Sequence, residues 1–144
     1  MTNLPMKNLP MNLFWNLDRY PAFTFRADQW GEYGWVYDPH TDRYIAYEID
    51  RKEQYDRVSQ VATRAELIDK VLPKAEKKLR DWFASFTVAR TETDVYILTT
   101  RGSIRRYPLG ELPRDAYDRP QQEVVAMEAA ELPGAVRKAL GIAE

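Results

Sequence analysis

Residues 30–50 read WGEYGWVYDPHTDRYIAYEID, and the stretch has the pattern of a β-hairpin. Trp35, Val36 and Tyr37 run into Asp38-Pro39-His40-Thr41-Asp42, and Tyr44, Ile45, Ala46, Tyr47, Glu48 and Ile49 lead away from it. Aromatic and β-branched side chains fit a pleated, half-buried surface, while proline fixes φ and short polar side chains bond their own backbone to make a turn. The rest of the chain is expected to pack around this hairpin.

Working outward toward the N-terminus, Phe23-Thr24-Phe25-Arg26 alternates apolar and polar with period 2, the signature of a strand with one face buried, and is expected to pair with the hairpin. Gly31 and Gly34 flank Tyr33; glycine in strand-like sequence marks a bend, a bulge or the close approach of another backbone, and can shape a pocket. Further upstream, Asn3-Leu4-Pro5-Met6 is echoed by Asn8-Leu9-Pro10-Met11. Proline removes a donor and disfavours the helical conformation just before it, so residues 1–13 read as an extended arm and residues 14–144 as one α+β domain.

Downstream, Thr63-Arg64-Ala65-Glu66 matches a capping box, in which a hydroxyl and a carboxylate reciprocally satisfy the free amides of a helix start. Leu67, Ile68, Val71, Leu72, Ala75, Leu79, Trp82, Phe83 and Phe86 recur at helical spacing, and Pro73 interrupts them, so a kinked helix or a second helix opening at Pro73 is expected. Phe86–Ala89 and Asp94–Thr99 read as strands joined by a polar turn, and Thr100-Arg101-Gly102-Ser103 turns into a further strand ending near Pro108. High helix propensity marks 122–132, and Pro133 and Gly141 bracket a short terminal helix docked by Val136, Leu140 and Ile142. The predicted fold is α+β: an antiparallel sheet built on the aromatic-rich N-terminal hairpin, packed against a kinked amphipathic helix, with a second hairpin and a C-terminal helix.

Residues 99–120, TTRGSIRRYPLGELPRDAYDRP, are similar to a strand-turn-strand unit in the DNA-wrapping blades of type IIA topoisomerase A subunits. The basic positions of that unit match Arg101, Arg105 and Arg106, and the resemblance implies contact with DNA there. It covers only this segment, and one blade without neighbours does not make a propeller.

The composition limits the chemistry. The chain has 144 residues, 44% hydrophobic and 30% charged, inside the globular range. With no cysteine there is no disulfide framework, thiol nucleophile or thiolate metal site. His40 is the one histidine and lies in the hairpin turn, which excludes a zinc site built on several His or Cys ligands. No Gly-rich phosphate loop or nucleophile elbow appears. Nor does the sequence show a signal peptide or an apolar run of membrane length, so a cytoplasmic protein without membrane contact is expected. Carboxylates are the remaining route to catalysis: Asp38 and Asp42 flank the turn, and Glu48 and Asp50 share a strand face. A carboxylate-based hydrolase would require at least two of these four in one cleft.

Twelve of the eighteen aromatic residues fall between Phe14 and Tyr55. Most such residues build cores, but tyrosine and tryptophan also dominate protein contact surfaces because they join large apolar area to a polar tip. Residues 31–60 carry 7 acidic and 4 basic groups, and 61–90 the reverse. An acidic background repels phosphate, so the aromatic surface is expected to meet a protein. The sequence reading is therefore a non-enzymatic protein-binding module, an accessory factor or inhibitor of a larger enzyme, contacting its partner through Trp30, Tyr33, Trp35, Tyr37, Tyr44 and Tyr47. Its alternative is a nucleic-acid-binding module using Lys74, Lys77, Lys78, Arg101, Arg105 and Arg106. No catalytic residue, metal ligand or cofactor is assigned, and the sequence leaves the oligomeric state open.

Overall fold

The computed structural model describes residues 13–142. They form two compact units, divided between Leu79 and Arg80, a division that the length did not suggest. Each unit is built on its own four-stranded antiparallel sheet, and with the helices they make an α+β protein with hairpins and a C-terminal helix. The expected arm lies outside the described residues apart from Leu13, which is buried.

In the first unit, strands β1 (Ala22–Asp28), β2 (Gly31–Asp38), β3 (Arg43–Asp50) and β4 (Tyr55–Ala62) follow one another in a meander. The hairpin expected from residues 30–50 is β2–β3, in register from Gly31↔Asp50 to Asp38↔Arg43. Its turn is held from within: Asp38 accepts from the backbone N–H of His40 (3.0 Å) and from the Thr41 hydroxyl (2.8 Å), while the Tyr37 hydroxyl donates to Asp42 (2.7 Å). Asp42 takes the left-handed conformation at φ 55°, which short polar side chains tolerate.

Two bulges and two glycines shape this sheet. Phe25 is the extra residue of β1 opposite β2, and Ser59 that of β4 opposite β3. A Cβ on Gly34 would run into the carbonyl oxygen of Phe23, and one on Gly31 into that of Ile49, so close backbone approach requires glycine at both positions. Strand β4 was not anticipated. Val58 and Val61, on one face, stand three apart because the Ser59 bulge falls between them, while Tyr55 lies on the other face, so no period of 2 shows.

The capping box forms as read: Thr63 Oγ1 accepts from the Glu66 amide (3.1 Å) and Glu66 from the Thr63 amide (3.0 Å). One helical turn, α1 (Arg64–Glu66), widens into a π-turn over Leu67–Val71 and tightens into a 3-10 turn over Leu72–Lys74. Pro73 sits in that last turn, and Ala75 breaks the run with extended backbone, so the interruption is a stop rather than a kink. Leu67 is fully buried and Arg64 donates to the Tyr44 hydroxyl (3.3 Å), tying this segment to the sheet. A new helix, α2 (Lys77–Ala84), follows. Phe86, read from its spacing as helical, instead opens the next strand and packs edge-on to Trp82.

In the second unit, β5 (Phe86–Arg90), β6 (Asp94–Thr99), β7 (Ile104–Pro108) and β8 (Val125–Met127) form the sheet. Helix α3 (Gly134–Leu140) covers one face: Ala89, Tyr96 and Ile104 cluster with Leu132, Val136 and Leu140, and Ile142 packs against them. Gly141 ends α3 in the left-handed conformation at φ 75°, letting its amide and that of Ile142 reach the last carbonyls of the helix. On this sheet burial pushes the Tyr107 phenol up to about 12.

The helical reading of 122–132 is corrected. Val125–Met127 pairs with β7, in the register Ile104↔Met127, and only a 3-10 turn follows over Ala129–Glu131. Strand pairing overrode propensity: an unpaired β7 edge would lose its ladder bonds, and buried Gln122 donates to the carbonyls of Pro108 and Glu123 to seat the strand.

Candidate functional site

The cross-strand rows of the first sheet show how the hairpin's aromatics are used. On one face, Tyr37 faces Tyr44 and Ala62, and Trp35 faces Ala46 and Gln60. Further from the hairpin turn, Tyr33 lies between Arg26 and Glu48, which faces Arg57; in the last row, Asp28, Gly31, Asp50 and Tyr55 stand side by side. Burial falls steeply along this face, with Tyr37 at 0% exposed, Trp35 at 6% and Tyr33 at 47%.

The six aromatics nominated from the sequence therefore separate. Trp35, Tyr37, Tyr44 and Tyr47 are core residues, because both faces of the central strands are covered at the turn end. Tyr37 and Tyr44 pack with ring centroids 5.1 Å apart. On the opposite face, Tyr47 donates to Glu32 (3.0 Å) and lies 3.2 Å from the Thr24 hydroxyl. Burial, chiefly, pushes the phenols of Tyr44 and Tyr47 up. Trp30, at 59% exposed, and Tyr33 stay on the surface.

Around Trp30 and Tyr33 the sheet forms an open cleft of about 280 Å³, with Arg26, Asp28, Glu48, Asp50 and Tyr55 contributing to its lining. Gly31, between Asp28 and Asp50 in the last row, also lines it. Tyr33 is braced by Phe25, stacked at 5.8 Å with the rings 18° from parallel, and the bulge at Phe25 makes that stack available. Trp30 has an exposed indole on a fixed backbone: its amide donates to Asp28 (2.8 Å) and its carbonyl accepts from Arg51 (2.9 Å). That amide, first among the causes, holds the Asp28 carboxyl below its ordinary value.

The carboxylates of the cleft differ in their partners. Asp28 is paired with Arg26 (3.1 Å) and Glu48 with Arg57 (2.6 Å), while Glu32 reaches Arg51 and Tyr47 on the other side of the sheet. Asp50 accepts at Oδ1 from the turn amides of Lys52 (2.9 Å) and Glu53 (2.8 Å) and has no cationic partner among the described residues. Tyr55, Arg26 and Asp28 were not singled out from the sequence, since they enter the cleft only through their neighbours across the strands.

Glu48 and Asp50 do share a cleft, as a carboxylate hydrolase would require, whereas Asp38 and Asp42 are consumed by the hairpin turn. Burial, chiefly, pushes the Asp38 carboxyl up, against the opposing bonds from Thr41 and His40. Acid–base catalysis needs two carboxyl groups in unequal surroundings; Glu48, paired with Arg57, and Asp50, held by the turn amides of Lys52 and Glu53, are both half-buried. Among the described residues no group of three or more His, Asp or Glu side chains is placed to hold a metal ion, and no helix is long and apolar enough to cross a membrane.

The basic candidates are distributed as follows. Lys74, Lys77 and Lys78 are exposed beside the break before α2, and Arg101 is exposed in the β6–β7 turn. Arg105 and Arg106, adjacent on β7, point to opposite faces, and Arg106 is paired with Asp94 (3.0 Å). The strand spacing thus separates two of the three arginines that the sequence grouped together. No family model, curated protein or solved structure matches this chain.

Proposed function

We propose that this protein is a binding module for another protein, with the cleft at the open end of the N-terminal sheet as its contact surface. The observation that carries this reading is the exposure of Trp30, Tyr33 and Tyr55 together, on a sheet whose other hairpin aromatics are buried. Tyrosine and tryptophan are the residues most often found as binding hot spots, because they bury large area while losing few rotamers. The braced Tyr33 ring and the fixed Trp30 backbone lower the ordering cost further.

The reading is tested by affinity capture from native extract with the full chain and with W30A/Y33A, comparing recovered proteins by mass spectrometry. A protein enriched by the unaltered chain and lost with the double variant is expected, followed by a loss of about 2 kcal/mol or more per substitution in direct binding. Recovery of the same proteins by both chains would defeat the proposal.

A further inference from the structure

We infer that the cleft is a guanidinium receptor: it takes an arginine side chain of the protein partner, stacked on Trp30 and Tyr33 and hydrogen-bonded to Asp50. This rests on the protein-binding reading and specifies the chemistry of the partner.

Three observations converge on a planar cation. The walls are aromatic: Trp30, Tyr33 and Tyr55 all line one cleft of about 280 Å³. Aromatic faces carry negative potential and attract a guanidinium, which also stacks on them because it is flat and weakly hydrated. The floor is backbone, since Gly31 lines the cleft and stands between Asp28 and Asp50 in the last row. Acceptors also remain at that floor. Among the described residues, Asp50 accepts hydrogen bonds only at Oδ1 and Glu48 only at Oε2, leaving Asp50 Oδ2 and Glu48 Oε1 for an incoming donor.

Charge decides against an anion and selects the carboxylate. Arg26 and Arg57 already balance Asp28 and Glu48, so Asp50 is the cleft carboxylate whose charge no cation among the described residues offsets. The sheet also contains a version of the proposed contact. Arg57 lies 5.8 Å from the centroid of the Tyr55 ring while bonding Glu48, a guanidinium shared between an aromatic face and a carboxylate. An arginine from a partner would repeat this one row further on, between Asp50 and the Trp30 and Tyr33 rings. Arginine is preferred over lysine because a flat fork can stack and donate at the same time.

The test titrates N-acetyl-arginine amide into the ¹⁵N-labelled full chain, with the citrulline analogue as its neutral isostere. Expected are saturable shifts of the Trp30 indole and of the amides of residues 30–33 and 48–51, absent with citrulline and weakening as salt rises. Asp50→Asn keeps an oxygen for the turn amides and should weaken binding about tenfold, as befits one charge-assisted bond. Equal shifts from citrulline, an unmoved Trp30 indole, or unchanged affinity in D50N would each overturn the inference. If arginine fails here while W30A/Y33A still abolishes capture of a partner, the guanidinium receptor falls and the protein-binding surface stands. If arginine binds while capture is indifferent to W30A/Y33A, the cleft takes guanidinium but the protein-binding reading falls.

Discussion

The two ends of the β2–β3 hairpin contain the same residue types and put them to different uses. At the turn end, Tyr37, Tyr44 and Tyr47 are almost wholly buried, and polar groups such as Asp38 are consumed in holding the turn. At the far end, Trp30 and Tyr33 remain in solvent beside Glu48 and Asp50. Nothing in local chemistry separates Tyr33 from Tyr37, which lie on one face of one strand. The difference is what covers that face, and a half-covered sheet thereby gains a core and a candidate contact surface from one hairpin.

The largest expected effect comes from breaking the buried end. Tyr37→Ala removes a ring packed on Tyr44 and the donor to Asp42, and should cost about 3–5 kcal/mol in chemical denaturation. Trp30→Ala, at the exposed end, should stay within about 0.5 kcal/mol. Comparable losses at both sites would remove the contrast on which the candidate site rests.

Between the two ends, Gly34→Ala forces a methyl group into the Phe23 carbonyl and should cost about 1–3 kcal/mol, with shifted amides in β1 as well as β2. A neutral result would mean that the strands can separate without loss. Tyr47→Phe deletes the hydroxyl that joins Glu32 and Thr24 across the opposite face, an effect of about 0.5–1.5 kcal/mol by the same denaturation measurement.

The subtlest measure of the contrast is the titration of two aspartates by carboxyl ¹³C NMR. Asp38, buried at the turn, should titrate above 3.8, and Asp28, bonded by the Trp30 amide at the open end, below 3.8. The linked stabilities have opposite signs. As pH rises from 3.8 through the raised native value of Asp38, the unfolded chain has released a proton that the native state still holds, so stability falls. For Asp28 the contribution is present above 3.8 and is lost as pH falls through its depressed native value. Reversal of the two midpoints would show that desolvation does not separate the ends.

Much of the fold was legible in the residues. The hairpin, the strand before it, the capping box at Thr63 and the glycine-capped terminal helix all formed where short-range rules placed them. What escaped did so for identifiable reasons. A bulge at Ser59 gave β4 a false spacing of three, and pairing with β7 drew Val125–Met127 out of a helix that its composition favoured. The candidate site was half legible: Trp30, Tyr33, Glu48 and Asp50 stood out as residue types, whereas Asp28, Arg26 and Tyr55 joined them only through strand pairing.

The sequence by itself determined which segments alternate, turn and cap, and which chemistries lack their residues, because those properties depend on side chains within a few positions of each other. Tertiary structure alone decided which aromatics face water, which carboxylate lacks a counter-charge among the described residues, and that Gly31 stands between two aspartates across the strands. Exposure and charge balance are properties of neighbours across strands, and in the last row the paired neighbours Gly31 and Asp50 are 19 residues apart in the chain (50 − 31).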